Sequence, residues 1–150
     1  MCLGSLAAMR VLVAFLLAIS GSICAAGEIE QSWTFDSVGR IFTLSDPVLE
    51  KPPLRLACTP EGYLEISILP TEEALAEISL IRPSLLTLTI RGRLRSDGRI
   101  ISNVDFKSLT VEFFREEGEV EVHGGHSYRL HLKGARRVLD YLRNSCTAVS

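Results

Sequence analysis

The chain has no G-x-S-x-G nucleophile turn, no glycine-rich phosphate loop and no H-E-x-x-H motif. Serine-hydrolase, nucleotide-phosphate and zincin chemistries therefore have no local signature in it. It also lacks any C-x-x-C spacing, so a thioredoxin-like redox centre has no basis. Histidine (3) and tryptophan (1) are scarce, and no apolar run approaches the roughly 20 residues of a spanning helix. Glycine (11) and proline (6) are too few for a collagen-like or low-complexity chain, while 47% apolar residues are too many for a disordered one. A net charge of -2 gives no global attraction to nucleic acid or anionic lipid. A length of 150 residues suits one domain.

Apolar residues concentrate at Val11 to Ile23, behind Arg10 and ahead of Cys24-Ala25-Ala26. A run of 13 with small residues following is the pattern of a secretory signal peptide, with cleavage expected near Ala26. Residues 1–26 are expected to be this signal and 27–150 a single β-rich domain. Met9 offers a second, more compact start. Arg10 is the only charge removed, so 16 Lys and Arg fall to 15 against 18 Asp and Glu, a mature charge of -3. Cys2 and Cys24 leave with the signal. Cys58 and Cys146 remain, an even pair in an oxidising compartment, and are predicted to be bonded.

Period-two alternation dominates the mature chain. Leu64, Ile66 and Ile68 share one face; Glu65 and Ser67 share the other. From Leu85 to Arg95, Leu86, Leu88, Ile90 and Leu94 are set against Thr87, Thr89, Arg91, Arg93 and Arg95, which predicts one long strand buried on one side. Ser96-Asp97-Gly98 turns into a strand over Arg99 to Val104, and Leu109, Val111 and Phe113 predict another apolar strand face. Trp33 and Phe35, in an early strand, are expected to supply aromatic core.

Charge selects the register of the next hairpin. A three-residue loop, Gly124-Gly125-His126, pairs Val122 with Tyr128 and Val120 with Leu130, and sets Glu121 opposite Arg129 and Glu119 opposite His131. A two-residue loop would mix core and solvent faces. Ala135, Val138, Leu139 and Leu142 then fall at helical spacing after Gly134, with Cys146 expected just past the last turn. A weaker helix is expected over Thr71 to Glu77. The fold class expected is mainly β (α+β), an antiparallel sheet or sandwich with one C-terminal helix packed on it.

His123 and His126 form an H-x-x-H, yet in this register His123 faces solvent and His126 sits in the loop, so no metal site and no cofactor are expected. Ser127 beside His126 points to the opposite strand face, which argues against a nucleophile and base pair. Arg91, Arg93 and Arg95, with Arg99 across the turn, are the most concentrated charge and the candidate partner-binding residues. The acidic stretch Glu112, Glu116, Glu117, Glu119, Glu121 is available to neutralise this row internally.

Two segments carry a family resemblance. PLRLACTPEGYLEISI (53–68) is a Cys-bearing strand, a turn and an alternating strand, and YRLHLKGARRVLDYLRNSC (128–146) is a strand leading to a helix that ends at Cys. Together they resemble the VasI-like type VI secretion-associated family of small bacterial envelope proteins. The resemblance covers 35 of 150 residues and implies a periplasmic β-rich domain whose final helix is stapled back by Cys58 and Cys146. Around Leu88 to Arg93 the chain lacks the acidic residue and downstream tryptophan of that pattern, and the shared positions carry no catalytic residue.

The function expected is that of an exported, non-enzymatic accessory or binding protein, periplasmic or secreted. Its partner would be another envelope or secreted protein rather than nucleic acid, without stable membrane insertion after signal cleavage. The alternatives are an inhibitor or immunity protein against a secreted enzyme, and a metal-binding or hydrolytic domain.

Overall fold

Leu54 and Leu56 alternate with Arg55 along one strand, and Leu64, Ile66 and Ile68 alternate with Glu65 and Ser67 along the next; in the folded chain all five apolar side chains are fully buried. Each such burial stabilises the fold by about 1.5–3 kcal/mol. The computed structural model describes residues 30–70, 76–124 and 126–147. The expected signal segment and most of the expected 71–77 helix lie outside the described residues. The two helix positions that can be compared are not helical: Ala76 lies in a bend and Glu77 opens a strand.

The strands are β1 (Ser32–Asp36), β2 (Ile41–Ser45), β3 (Leu54–Cys58), β4 (Leu64–Ile68), β5 (Glu77–Ile81), β6 (Thr87–Arg91), β7 (Arg93–Leu94), β8 (Ile100–Val104), β9 (Glu119–His123) and β10 (Tyr128–His131). Among the described residues two helices accompany them, α1 (Leu109–Arg115) between β8 and β9, and α2 (Ala135–Thr147) after β10. The strands form two antiparallel sheets, ordered β1-β2-β3-β4-β8-β7 and β10-β9-β5-β6. Side chains from both sheets and both helices meet in one core, so the mainly β architecture with a packed C-terminal helix is as expected.

The β9–β10 register matches the charge argument, with Val122 opposite Tyr128, Glu121 opposite Arg129, Val120 opposite Leu130 and Glu119 opposite His131. Helix α2 buries Ala135, Val138, Leu139 and Leu142. Cys146 lies within its last turn rather than beyond it, disulfide-bonded to Cys58 at the end of β3.

Three expectations are corrected. The long strand Leu85 to Arg95 is broken at Gly92, where the chain leaves the four-stranded sheet and joins the six-stranded one. Gly92 donates its N–H to the Ala76 carbonyl at 3.0 Å, and a Cβ there would collide with the Ile101 carbonyl. Only a residue without a side chain permits this crossing. Ile90 is consequently buried while Leu86 and Leu94 are exposed.

Leu109 to Phe113 is a helix, not a strand. Ser108 caps it, its Oγ accepting the Val111 N–H at 3.4 Å, and Glu112 lies in the first turn, where the helix dipole favours a negative charge. Leu109 is exposed whereas Phe113 and Phe114 are both buried, which a half-buried strand cannot achieve for adjacent residues. The far end is capped by the buried Arg82, whose guanidinium donates to the Phe113 and Glu116 carbonyls and lies 4.6 Å over the Phe113 ring.

Trp33 packs against the core edge, its Nε1 donating to the Lys133 carbonyl at 3.0 Å, but Phe35 is 41% exposed. Phe35 stacks on Phe42 with centroids 4.5 Å apart and meets Tyr141 edge-on, an aromatic rim rather than core. The reason is position, since β1 is the outermost strand of its sheet. Its neighbour Gln31 closes the seam to β10, donating to the Arg129 carbonyl at 2.8 Å and accepting the His131 N–H at 2.7 Å. One side-chain amide thus substitutes for a ladder partner and blunts that edge.

Candidate interaction surface

The four arginines singled out above follow one another in sequence, yet the sheet crossing at Gly92 separates them into three environments. Arg91 ends β6 and forms an ion pair with Glu77 across the hairpin at 2.5 Å, both side chains being exposed. Such a pair contributes about 0–1 kcal/mol.

Arg93 and Arg95 lie beyond the crossing. Arg93 pairs with Ile101 across β7 and β8, and the Arg95 N–H donates to the Arg99 carbonyl at 2.8 Å, closing the turn through Asp97 and Gly98. Both side chains are exposed. Among the described residues, neither guanidinium has an ion-pair or hydrogen-bond partner. They border a shallow cleft of about 330 Å³ whose other walls are Glu65, Leu94, Ile101 and Asn103. Glu65 and Asn103 are opposite one another in the β4–β8 register.

Arg99 does not belong to this surface, which corrects the sequence reading. It is 2% exposed, and its guanidinium donates to the Ser67 carbonyl at 3.2 Å and to the Pro52 carbonyl. Strand β8 pairs with β4 and β4 with β3, so the side chain reaches one carbonyl in β4 and one in the segment leading into β3. Burial pulls its pKa down to about 10, nearby Arg55 acts in the same direction, and Asp97 opposes them. The side chain stays charged at neutral pH and clamps three strand ends together. Beside it, the Tyr128 hydroxyl donates to the Leu69 carbonyl at 2.6 Å, and burial raises the phenol above its ordinary range.

The acidic stretch does not neutralise the exposed arginines. Glu116 stands 3.6 Å from Arg82, Glu119 is 3.3 Å from Arg129, and Glu121 is 3.2 Å from His123. Glu117 instead helps line a second, mixed-charge cleft of about 630 Å³ beside Trp33, Lys133 and Arg137. In that cleft Lys133 hydrogen-bonds Glu30 at 2.7 Å and holds its carboxyl below the usual range. Arg115 is paired with Asp140 at 3.0 Å.

His123, His126 and His131 are not brought together: the first faces Glu121, the second is exposed in the hairpin loop, and the backbone of the third is held by Gln31. Among the described residues no group of three or more His, Cys, Asp or Glu is placed to hold a metal ion, and no helix is long and apolar enough to cross a membrane.

Sequence reasoning missed Glu65 and Asn103 as walls of the arginine cleft. They lie 38 positions apart and meet only through β4–β8 pairing, for which neither segment carries a local signal. No family model, curated protein or solved structure matches the chain.

Proposed function

We propose that this chain is an exported, non-enzymatic accessory or binding protein of the bacterial envelope that engages another envelope or secreted protein through Arg93 and Arg95. One observation carries the reading: both guanidiniums are exposed, lack an acidic partner among the described residues and border one cleft, whereas Arg82, Arg91, Arg115 and Arg129 have a partner and the exposed Arg40, Arg136 and Arg137 do not line that cleft. An exposed, unpaired pair of planar donors is suited to carboxylates arriving from outside. The Cys58–Cys146 bridge supports residence in an oxidising compartment. The resemblance to the VasI-like family, carried by the two segments around those cysteines, supports a link to secretion.

The test is a photo-crosslinking residue at Asn103, a wall of the cleft beside the ledge formed by Arg93 and Arg95, in cells expressing the full chain. The expected outcome is a discrete adduct at Asn103, absent from an identical probe at Val48 and lost in the Arg93→Glu, Arg95→Glu double variant. No adduct at Asn103, or an adduct unchanged by charge reversal, overturns the proposal.

A second reading, an inhibitor or immunity protein, is favoured by the β5–β6 turn. Leu85 is held there at φ +64 with its side chain 83% exposed beside the exposed Leu86. A left-handed leucine aimed at solvent is an unfavourable choice for an inert turn. If the cross-linked partner is a hydrolase whose activity falls on binding, and Leu85→Gly restores it, this reading displaces the accessory role.

A further inference from the structure

We infer that the ledge recognises an extended acidic segment with carboxylates at alternate positions, an inference that rests on the binding role proposed above. Residues two apart on a strand recur every ~6.8 Å on one face. Arg93 lies in β7, Arg95 is the residue just past its end with its N–H on the Arg99 carbonyl, and both border the same cleft. An extended partner with acids at alternate residues repeats the same distance, so each guanidinium can take one carboxylate in a forked pair of hydrogen bonds.

At about 330 Å³ the cleft has room for a few side chains of a partner, so what it reads is side-chain chemistry. Strand β7 is the last strand of the six-stranded sheet, so no strand of that sheet lies beyond it to bar an extended chain. Glu65 lines the same cleft and repels a carboxylate brought against it. The Asn103 amide opposite accepts or donates to a neutral polar group. Intervening positions of the partner should therefore be uncharged and polar, which distinguishes alternating acids from a continuous acidic block.

An anionic bilayer or a polyanion fits less well. Both draw their attraction from many cations acting together, whereas the ledge offers two in a chain of net charge -2, with the Glu65 carboxylate lining the same cleft.

The experiment uses the full mature chain and fluorescently labelled peptides read by anisotropy: an alternating Glu-Thr peptide, and a peptide of the same composition with its glutamates in one block. Vesicles of phosphatidylglycerol and phosphatidylcholine, and inorganic polyphosphate, serve as competitors. The alternating peptide should bind at least about fivefold more tightly than the block, and Arg93→Gln with Arg95→Gln should weaken it at least about tenfold with an unchanged melting curve. Added salt should weaken it as well. Glu65→Gln should narrow the difference between the peptides. Equal binding of both peptides, preference for vesicles or polyphosphate, or indifference to the arginine variants overturns the inference. Absence of peptide binding alongside an intact Asn103 adduct in cells removes the acidic-strand chemistry and leaves the binding role standing; loss of both removes both.

Discussion

The Cα atoms of Cys58 and Cys146 lie 5.6 Å apart, joined by a disulfide that fastens the last turn of α2 to the end of β3 across 88 positions of sequence. Closing a loop of that length removes about 4–5 kcal/mol of conformational freedom from the unfolded chain by the loop-entropy relation. The Cys58→Ala, Cys146→Ala variant should therefore lose about 2–5 kcal/mol in denaturant unfolding. Intact-mass measurement of wild type purified without reductant, before and after reduction, should show the two-proton difference of one bridge.

Arg99→Met should be among the most damaging single substitutions in this chain. It leaves the Ser67 and Pro52 carbonyls without their buried donor, at about 1–3 kcal/mol each, so urea unfolding should register a loss of about 3 kcal/mol. Arg99→Lys should restore only part of this, because one ammonium nitrogen cannot occupy both positions from which Nη1 and Nη2 reach the two carbonyls. If Arg99→Met melts like wild type, the clamp is wrong.

Tyr128 predicts an alkaline dependence. The folded protein holds the phenolic proton more tightly than the unfolded chain, whose phenol titrates near 10, so this contribution is complete below pH 10 and falls as pH rises above it. Arg99 works in the opposite sense as pH rises above about 10, where the unfolded chain binds the extra proton. Tyr128→Phe should cost about 1 kcal/mol at neutral pH through the lost bond to the Leu69 carbonyl, and should lose stability less steeply than wild type above pH 10. Unfolding followed by circular dichroism across that range measures both.

Gly92→Ala should destabilise by about 3 kcal/mol or prevent folding, because the added methyl meets backbone of β8 rather than a side chain that could move aside. Gly98→Ala gives a useful comparison. Its Cβ would enter open space, so only the left-handed φ of +81 opposes it, at about 1 kcal/mol. Equal losses in the two variants would contradict steric exclusion as the reason for the sheet crossing.

What could be read from the sequence was whatever had one local solution. The 119–131 hairpin offers a single register that puts Val120, Val122 and Leu130 on one face and opposes its charges, and the fold adopts it. The apolar stripe from Ala135 to Leu142 likewise has one helical reading. Gly92 was illegible because an 11-residue alternation continues unbroken through it, and only the approach of Ile101, from another strand, requires the crossing. The 109–113 segment was ambiguous between periods; its deciding marks are the Ser108 cap and the adjacent buried Phe113 and Phe114, which strand alternation cannot accommodate. Arg99 continues the alternation of the exposed arginines, and its burial follows from carbonyls 32 and 47 positions away.

The division of the arginines is the centre of this account: Arg99 holds strands together, whereas Arg93 and Arg95 are exposed without a partner among the described residues and are proposed to bind. The most direct measurement is the yield of the Asn103 cross-linked adduct in cells carrying Arg93→Gln and Arg95→Gln, taken on protein whose melting temperature matches wild type. The account predicts that the adduct disappears while stability is unchanged. A full yield of adduct from that variant would contradict it.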